Sequence, residues 1–311
     1  MYPSYRLGLI LILGLSTFTT AMTTQASQKL LLLQGKRVLV TGGGRGIGRA
    51  IALICHQQGA RVAISSRTKS ELQETIDLAA SSWLPPISDG SSLAQEEECT
   101  DNETTLSVSM QLYEADVTSK QSVETMVQQI KDQWGGLDIL INNAGGASNK
   151  GPVDSLDSDD LQNLLQLNVI GPQIVTSQVL QHCMPKDGHI LNISSKAGKV
   201  GLPNMSFYVA SKFALEGLTA CWAKELADRQ IVVNSISPGM IDTKSFPKAP
   251  GKAGVRTAES IQDGLLLALT APSEYSGHYL HVDELDMVRN AGLPDTAAWK
   301  AIDEATFSVA N

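Results

Sequence analysis

Five glycines, Gly42, Gly43, Gly44, Gly46 and Gly48, stand between a β-branched run at Arg37–Thr41 and a stretch with helical periodicity. In that stretch Ile47, Ala50, Ile51 and Ile54 recur on one helical face until Gly59 stops the pattern. A strand that ends in glycines and runs straight into a helix restricts what can lie there. Glycine lets the backbone turn sharply and approach a ligand with no Cβ in the way. The start of the helix offers unpaired N–H groups and a positive dipole end to a phosphate. A tight turn without a ligand could use the same residues, but the place after the first strand favours a nucleotide. No Gly-Lys-Ser/Thr follows, which disfavours a Walker-type loop.

The same rhythm continues down the chain. Apolar or β-branched runs predict strands over 37–41, 61–65, 112–115, 137–142, 189–194, 230–236 and 278–282. Periodic stretches predict helices over 46–58, 69–80, 120–134, 159–169, 173–183, 207–228 and 258–269. Alternating strands and helices, with near-continuous apolar strands, imply a parallel sheet of about seven strands covered by helices on both faces. The expected fold is therefore α/β: a single doubly wound, Rossmann-type domain with its ligand beyond the carboxyl ends of the strands.

Three segments stand outside this rhythm. Residues 1–34 hold a nine-residue apolar run at 7–15 behind Arg6, then Ser, Thr and Ala, which resembles a signal-like or anchoring leader. The run is too short for a spanning helix of about twenty residues. If functional, it implies membrane or secretory association through 7–15 and a secretory, endomembrane or organellar location. Otherwise the location is cytoplasmic. The sequons at Asn102, Asn192 and Asn204 do not decide this, since Asn192 lies in an expected buried strand. Residues 81–108, with Pro85, Pro86, Gly90 and an acidic cluster, read as a surface insertion in the domain at 35–285. Residues 286–311 form a C-terminal extension, an arm or a helix.

A net charge of −8 disfavours a nucleic-acid partner. Cys55, Cys99, Cys183 and Cys221 form no CxxC pair, so no metal site is expected. Cys55 and Cys221 fall in apolar helical stretches and are expected to pack as small hydrophobes.

After the second expected strand stand Ser65, Ser66 and Arg67, where NAD-preferring dinucleotide folds usually place a carboxylate for the ribose 2′-OH. With no acid there, Arg67 and Arg45 could pair with a 2′-phosphate, favouring NADP over NAD. Further on, Tyr208 and Lys212 lie one helical turn apart on one face. A nearby ammonium favours the phenolate, which predicts a lowered tyrosine pKa and proton exchange near neutral pH. Ser195, thirteen residues before Tyr208 and just after the fifth expected strand, could hydrogen-bond a carbonyl oxygen in the same crevice.

Taken together these motifs resemble the short-chain dehydrogenase/reductase family. Thr41–Gly48 resembles its TGxxxGxG loop, and Asn142, Asn143, Ala144 and Gly145 match its NNAG motif. Asn168 resembles its helix asparagine, Ser195 with Tyr208 and Lys212 its Ser and YxxxK, and Pro238, Gly239 and Thr243 its PG…T segment. The match runs in order over about residues 35 to 283. The resemblance implies an NAD(P)-dependent oxidoreductase acting on a small-molecule carbonyl or alcohol substrate. Catalysis would rest on Asn168, Ser195, Tyr208 and Lys212. Tyr208 would exchange the proton, Ser195 would hold the carbonyl oxygen, Lys212 would bind the nicotinamide ribose, and Asn168 would hold a relay water. The dinucleotide would be held by Gly42, Gly44, Arg45, Gly46, Ile47, Gly48, Arg67, Asp116, Val117, Asn143, Ala144, Gly145, Tyr208, Lys212, Pro238, Gly239, Ile241 and Thr243. Among these, Asp116 and Val117 would meet the adenine, and Asn143 would meet the adenine-side ribose or support the strand. The family also implies a homo-oligomer, dimer or tetramer.

Two departures bear on the substrate. Where the family often has HVDGG the sequence has His281, Val282, Asp283, Glu284 and Leu285, and the segment from Thr243 to Ala258 is a short lid rich in Gly, Pro and Lys. A non-catalytic dinucleotide-binding or redox-sensing protein of the same fold is the alternative, against which the intact Asn168, Ser195, Tyr208 and Lys212 argue. Dehydratases and epimerases of this fold generally carry GxxGxxG, unlike Gly42–Gly48.

Overall fold

The β-branched runs become one parallel sheet. The computed structural model describes residues 31–82, 109–147, 150–244, 247–249, 251–290 and 299. In chain order the elements begin β1 (Arg37–Thr41), α1 (Gly46–Gln57), β2 (Arg61–Ser66), α2 (Lys69–Ser82), β3 (Met110–Glu114), α3 (Lys120–Trp134) and β4 (Ile139–Asn142). There follow α4 (Ser158–Leu165), α5 (Gly171–His182), β5 (His189–Ile193), α6 (Ser206–Glu225) and β6 (Val232–Ser237). A two-stranded ribbon, β7 (Met240–Ile241) and β8 (Val255–Arg256), precedes α7 (Gln262–Leu269), β9 (Tyr279–His281) and α8 (Val282–Asn290).

Seven strands form the main sheet in the order β3-β2-β1-β4-β5-β6-β9, every pair parallel. The fold is the doubly wound α/β arrangement expected from the sequence. Strand order reverses between β1 and β4, so chain leaving these two strands diverges and opens a crevice above the sheet. Side chains alternate: Val38 and Val40 pack with α1 and α7 on one face, while Leu39 packs with α3 and α5 on the other. A fork from Arg37 to Asp138 pins the start of β1 to the residue before β4, with two bonds of 2.9 Å. The backbone N–H of Arg37 adds a third, at 2.8 Å.

Several boundaries differ from the pattern-based expectation. β3 covers 110–114 rather than 112–115, β6 covers 232–237, and α6 stops at Glu225, followed by a 3₁₀ turn at Ala227–Arg229. The separate helices expected at 159–169 and 173–183 are one run, α4 to α5, joined by a π-helical turn at Gln166–Ile170. Pro172 explains the bulge. Its ring has no N–H for the Asn168 carbonyl and would clash with it in a regular α-helix. Cys221 was expected to pack, but it lies on the outer side of α6 and is exposed, whereas Cys55 and Cys183 are buried. Asn192 is fully buried in β5.

Residues 1–30 of the expected leader at 1–34, with its apolar run at 7–15, nearly all of the expected insertion, and most of the C-terminal extension lie outside the described residues. Among the described residues no helix is long and apolar enough to cross a membrane. Leu33 already sits in the core, and its N–H bonds to the Gln58 carbonyl at 3.0 Å. α8 runs through the 285/286 boundary, because Asp283 and Glu284 start a helix where a Gly-Gly pair would have turned the chain. Trp299, in the C-terminal extension, is fully buried and stacks on Tyr275 with ring centroids 5.1 Å apart.

Trp299→Ala is accordingly expected to destabilise the fold by about 3 kcal/mol or more through the cavity it leaves. Urea unfolding of the two proteins measures this, and an unchanged midpoint would show that the extension does not close the core.

Candidate active site

Above the β1/β4 switch point lies a cleft of about 710 Å³. Its floor is the glycine loop. Gly42 and Gly46 adopt positive φ, +69° and +54°, which favours glycine. A Cβ on Gly48 would stand 2.1 Å from the Gly42 carbonyl oxygen and 2.4 Å from the Asn143 side-chain nitrogen, so no larger residue fits. α1 therefore starts close behind the loop. No side chain caps its N-terminus and no acid lies in its first turn, leaving its N–H groups and dipole for an anion. These features fit the pyrophosphate of a dinucleotide.

Of the residues predicted to hold a dinucleotide, every one lines the cleft. Ser195 lines it too, while Asn168 does not. Asn143 takes the supporting role left open by the sequence: its amide donates to the carbonyls of Thr41 at 2.9 Å and Gly42 at 3.2 Å. The Thr41 hydroxyl in turn accepts from the N–H groups of Asn143 and Ala144, at 3.0 and 3.1 Å. Asn142 points away and donates to Thr176 and Asn192 inside the protein, at 3.0 and 2.9 Å.

At one end of the cleft Asp116 accepts from the Thr118 N–H and hydroxyl, at 2.9 and 2.7 Å. Burial pushes its carboxyl up, but these bonds and the charge of Arg67 outweigh that and hold it below its usual value. Glu71, which sequence reasoning missed, also lines this end and meets Arg45 at 3.1 Å. The absence of an acid after β2 is therefore only half of the local picture. The first turn of α2 returns one, Glu71.

At the other end Ser195 follows β5, and Tyr208 and Lys212 project from α6. Tyr208 and Ser195 are joined by a side-chain hydrogen bond. The Lys212 ammonium donates to the Ile193 carbonyl at 2.9 Å and lies 5.8 Å from the Tyr208 ring centre. The expected lowering of the tyrosine pKa is not what the geometry gives. Burial dominates and pushes the phenol up, with only the Ser195 bond opposing it. Lys212 is itself buried, which pulls its pKa down to about 8, with the Glu216 carboxylate one turn further along α6 working the other way. Glu216 is a second residue the sequence did not single out. It accepts from Ser235 at 3.0 Å and pairs with Lys199 at 3.2 Å.

Asn168 sits behind the wall, in the π-turn. Its side chain accepts from the Gly146 N–H at 2.9 Å and donates to the Gly146 carbonyl and to Ser211, both at 3.0 Å. Both amide hydrogens are thus engaged. The side chain clamps the loop after β4 to α6.

The lid closes as a ribbon. Met240 pairs with Val255 and Ile241 with Arg256. Arg256 then ties the ribbon to Asp283 and Asp286 of α8 and to Ser260. Asp283 is the aspartate of the HVD shared with the family pattern, and Asp286 lies on the helix just past it.

Comparisons with known proteins give the family and the fold. The short chain dehydrogenase family profile matches residues 36–82 and 90–252. The chain is 32% identical over 222 residues to a 3-oxoacyl-(acyl-carrier-protein) reductase of Thermotoga maritima, covering 71% of this chain and 80% of that one. It is 30% identical over 246 residues to an uncharacterized oxidoreductase of Staphylococcus aureus, covering 78% and 95%. Among solved structures, a Serratia marcescens short-chain dehydrogenase/reductase variant is similar with a TM-score of 0.66 at 28% identity, covering 80% and 96%. A short chain dehydrogenase of Shigella flexneri complexed with NADP shares the fold, with a TM-score of 0.67 at 23% identity over 82% of this chain and all of that one.

The buried ammonium makes a measurable prediction. Lys212 is held to about 8, against 10.5 when free, so unfolding takes up a proton between those values. Stability from this group is lowest below pH 8 and rises by about 3 kcal/mol as pH climbs to its unfolded value. Lys212→Met lacks that rise. Urea unfolding of both proteins at pH 7.5 and pH 10 should show the difference between them change with pH; parallel behaviour would mean that the ammonium is not desolvated.

Proposed function

The chain belongs to the short-chain dehydrogenase family, and from that premise we propose that it is an NADP-dependent oxidoreductase moving hydride between nicotinamide and a carbonyl or secondary alcohol carbon. The observation that carries this is the joining of Ser195, Tyr208 and Lys212 at one end of a cleft whose floor is the glycine loop. The bound dinucleotide would supply the hydride, and the remaining chemistry belongs to the chain.

In reduction, the substrate oxygen lies between Ser195 and Tyr208. Burial keeps the phenol protonated at neutral pH, so Tyr208 gives its proton to that oxygen as the carbon gains hydride. Ser195 donates a hydrogen bond and stabilises the charge developing there. Lys212, fixed on the Ile193 carbonyl, steadies the phenolate left behind and would hold the nicotinamide ribose. In oxidation the same atoms run backwards, with Tyr208 taking the alcohol proton. Asn168 acts through position, holding Gly146 and Ser211. NADP is favoured by Arg67, exposed at the end of β2, and by Arg45, which lines the same cleft. Exposed Ile170 and Phe213 suit assembly as a homo-oligomer.

Tyr208→Phe is expected to lower kcat for carbonyl reduction by about a thousandfold while NADPH still binds. Turnover equal to wild type across a panel of ketones and aldehydes would remove Tyr208 from catalysis and leave a nucleotide-binding protein. Arg67→Asp is expected to shift the NADP-over-NAD affinity ratio toward NAD by about tenfold. Fluorescence titration with both reduced cofactors reads that ratio, and equal ratios in the two proteins would refute the 2′-phosphate assignment.

A further inference from the structure

We infer that the lid end of the cleft recognises an anionic group, a carboxylate or a phosphate, on the carbonyl substrate, using Lys150, Lys248 and Lys252; this rests on the oxidoreductase function proposed above. All three line the cleft, as does Lys244. They come from separate parts of the chain. Lys150 lies in the segment after β4, and its neighbour Gly151 donates to the Asn204 carbonyl at 3.1 Å, just ahead of α6. Lys248 and Lys252 lie between β7 and β8, where the Lys248 N–H bonds to the Asp242 carboxylate at 2.9 Å. The sequence showed only a lid rich in lysine; the fold brings Lys150 to it.

Charge placement makes this more than a solvated face. The chain as a whole carries −8, yet positive groups concentrate around this opening. Burial lowers the Lys248 pKa, and the ammoniums of Lys150 and Lys252 lower it further, with Asp242 opposing them. These side chains therefore stand close enough to repel one another, a cost that an entering anion would relieve. The carboxylates lining the cleft are elsewhere: Glu71 on Arg45, and Asp116 beside Arg67.

The cofactor phosphates do not account for these three lysines. The phosphate-binding features, the glycine loop and Arg45 with Arg67, lie after β1 and β2. Lys244 is set apart on the same ground. It follows Thr243, whose methyl group would stand 3.3 Å from a Cβ on Gly46, in the glycine loop. Lys150 instead neighbours the segment leading into α6, the helix that carries Tyr208. Lysine is a compact cation without a fixed fork, which suits anions of varied shape.

The test uses the full chain with NADPH, ω-keto carboxylates of graded length beside their methyl esters, and a keto phosphate beside its neutral hydroxy parent. The anionic member of a pair should show the higher kcat/KM. Lys248→Ala should cut that preference by about fivefold, chiefly through KM, with further loss in Lys150→Ala/Lys248→Ala and recovery in Lys248→Arg. A wild-type preference near one, or a preference untouched by these changes, overturns the inference while leaving the oxidoreductase function standing. So does an NADPH dissociation constant that weakens as much as the acid's KM. If neither acids nor esters are turned over, the proposed function fails, and calorimetry of the keto acids with NADP⁺-loaded protein decides this inference. Binding by wild type that disappears in Lys150→Glu/Lys248→Glu supports it, and no binding by wild type overturns it.

Discussion

The absence of a side chain at residue 48 governs the cleft. There the first turn of α1 passes so close to the carbonyl of Gly42 that a single methyl group would have to displace backbone. Asn143 closes the same contact from β4, bonding the carbonyls that end β1. The two strands that part at the switch point are thereby held at one fixed separation, and the helix dipole is aimed across the gap. Position follows from this for everything else that faces the cleft. β5, next to β4, delivers Ser195, and α6, packed on the turn after β5, delivers Tyr208 and Lys212.

What was legible in the sequence was what depends on near neighbours. β-branched runs, helical periodicity and glycines mark strands, helices and turns within a few residues. Tyr208 and Lys212 can be paired because a helix fixes their spacing. Features set by distant neighbours were not legible. Glu71 enters the cleft because α2 folds back over the glycine loop, a relation no local pattern encodes. The π-turn at Asn168 was visible only as a gap between two expected helices, although Pro172 was there to explain it. Asn168 illustrates the limit best. Its side-chain bonds run to Gly146 and Ser211, residues 22 and 43 positions away, partners that no local pattern encodes. Cys221 was misplaced for a related reason: α6 is apolar nearly all round, so periodicity could not say which side faces out.

The direction of the Tyr208 shift is a matter of competing magnitudes. A cation one turn away favours the phenolate, but its field acts over several ångströms, while desolvation acts on the whole phenol at once. With the ring almost entirely buried, desolvation prevails. The outcome suits a proton donor better than a preformed phenolate would. A phenol that stays protonated until negative charge develops on a bound oxygen releases its proton only when that oxygen can take it.

Lys212 carries the corresponding cost. A buried ammonium next to one carbonyl and one partly shielded carboxylate is less stable than an apolar side chain of similar size would be. It is tolerated because the fold around it is over-determined: the fork at Arg37, seven paired strands and two separate cores hold β5 and α6 in place without it. Surplus order of this kind is what allows strain and unfavourable charge to be concentrated at one place. The same logic extends to the lid, where Arg256 anchors the ribbon on α8 and so lets lysines gather at its tip that would otherwise drive the loop open. Rigid scaffolding at the back of the cleft and gathered positive charge at its front are two halves of one arrangement, since a loop free to swing away would relax its own repulsion and gain nothing from an anion.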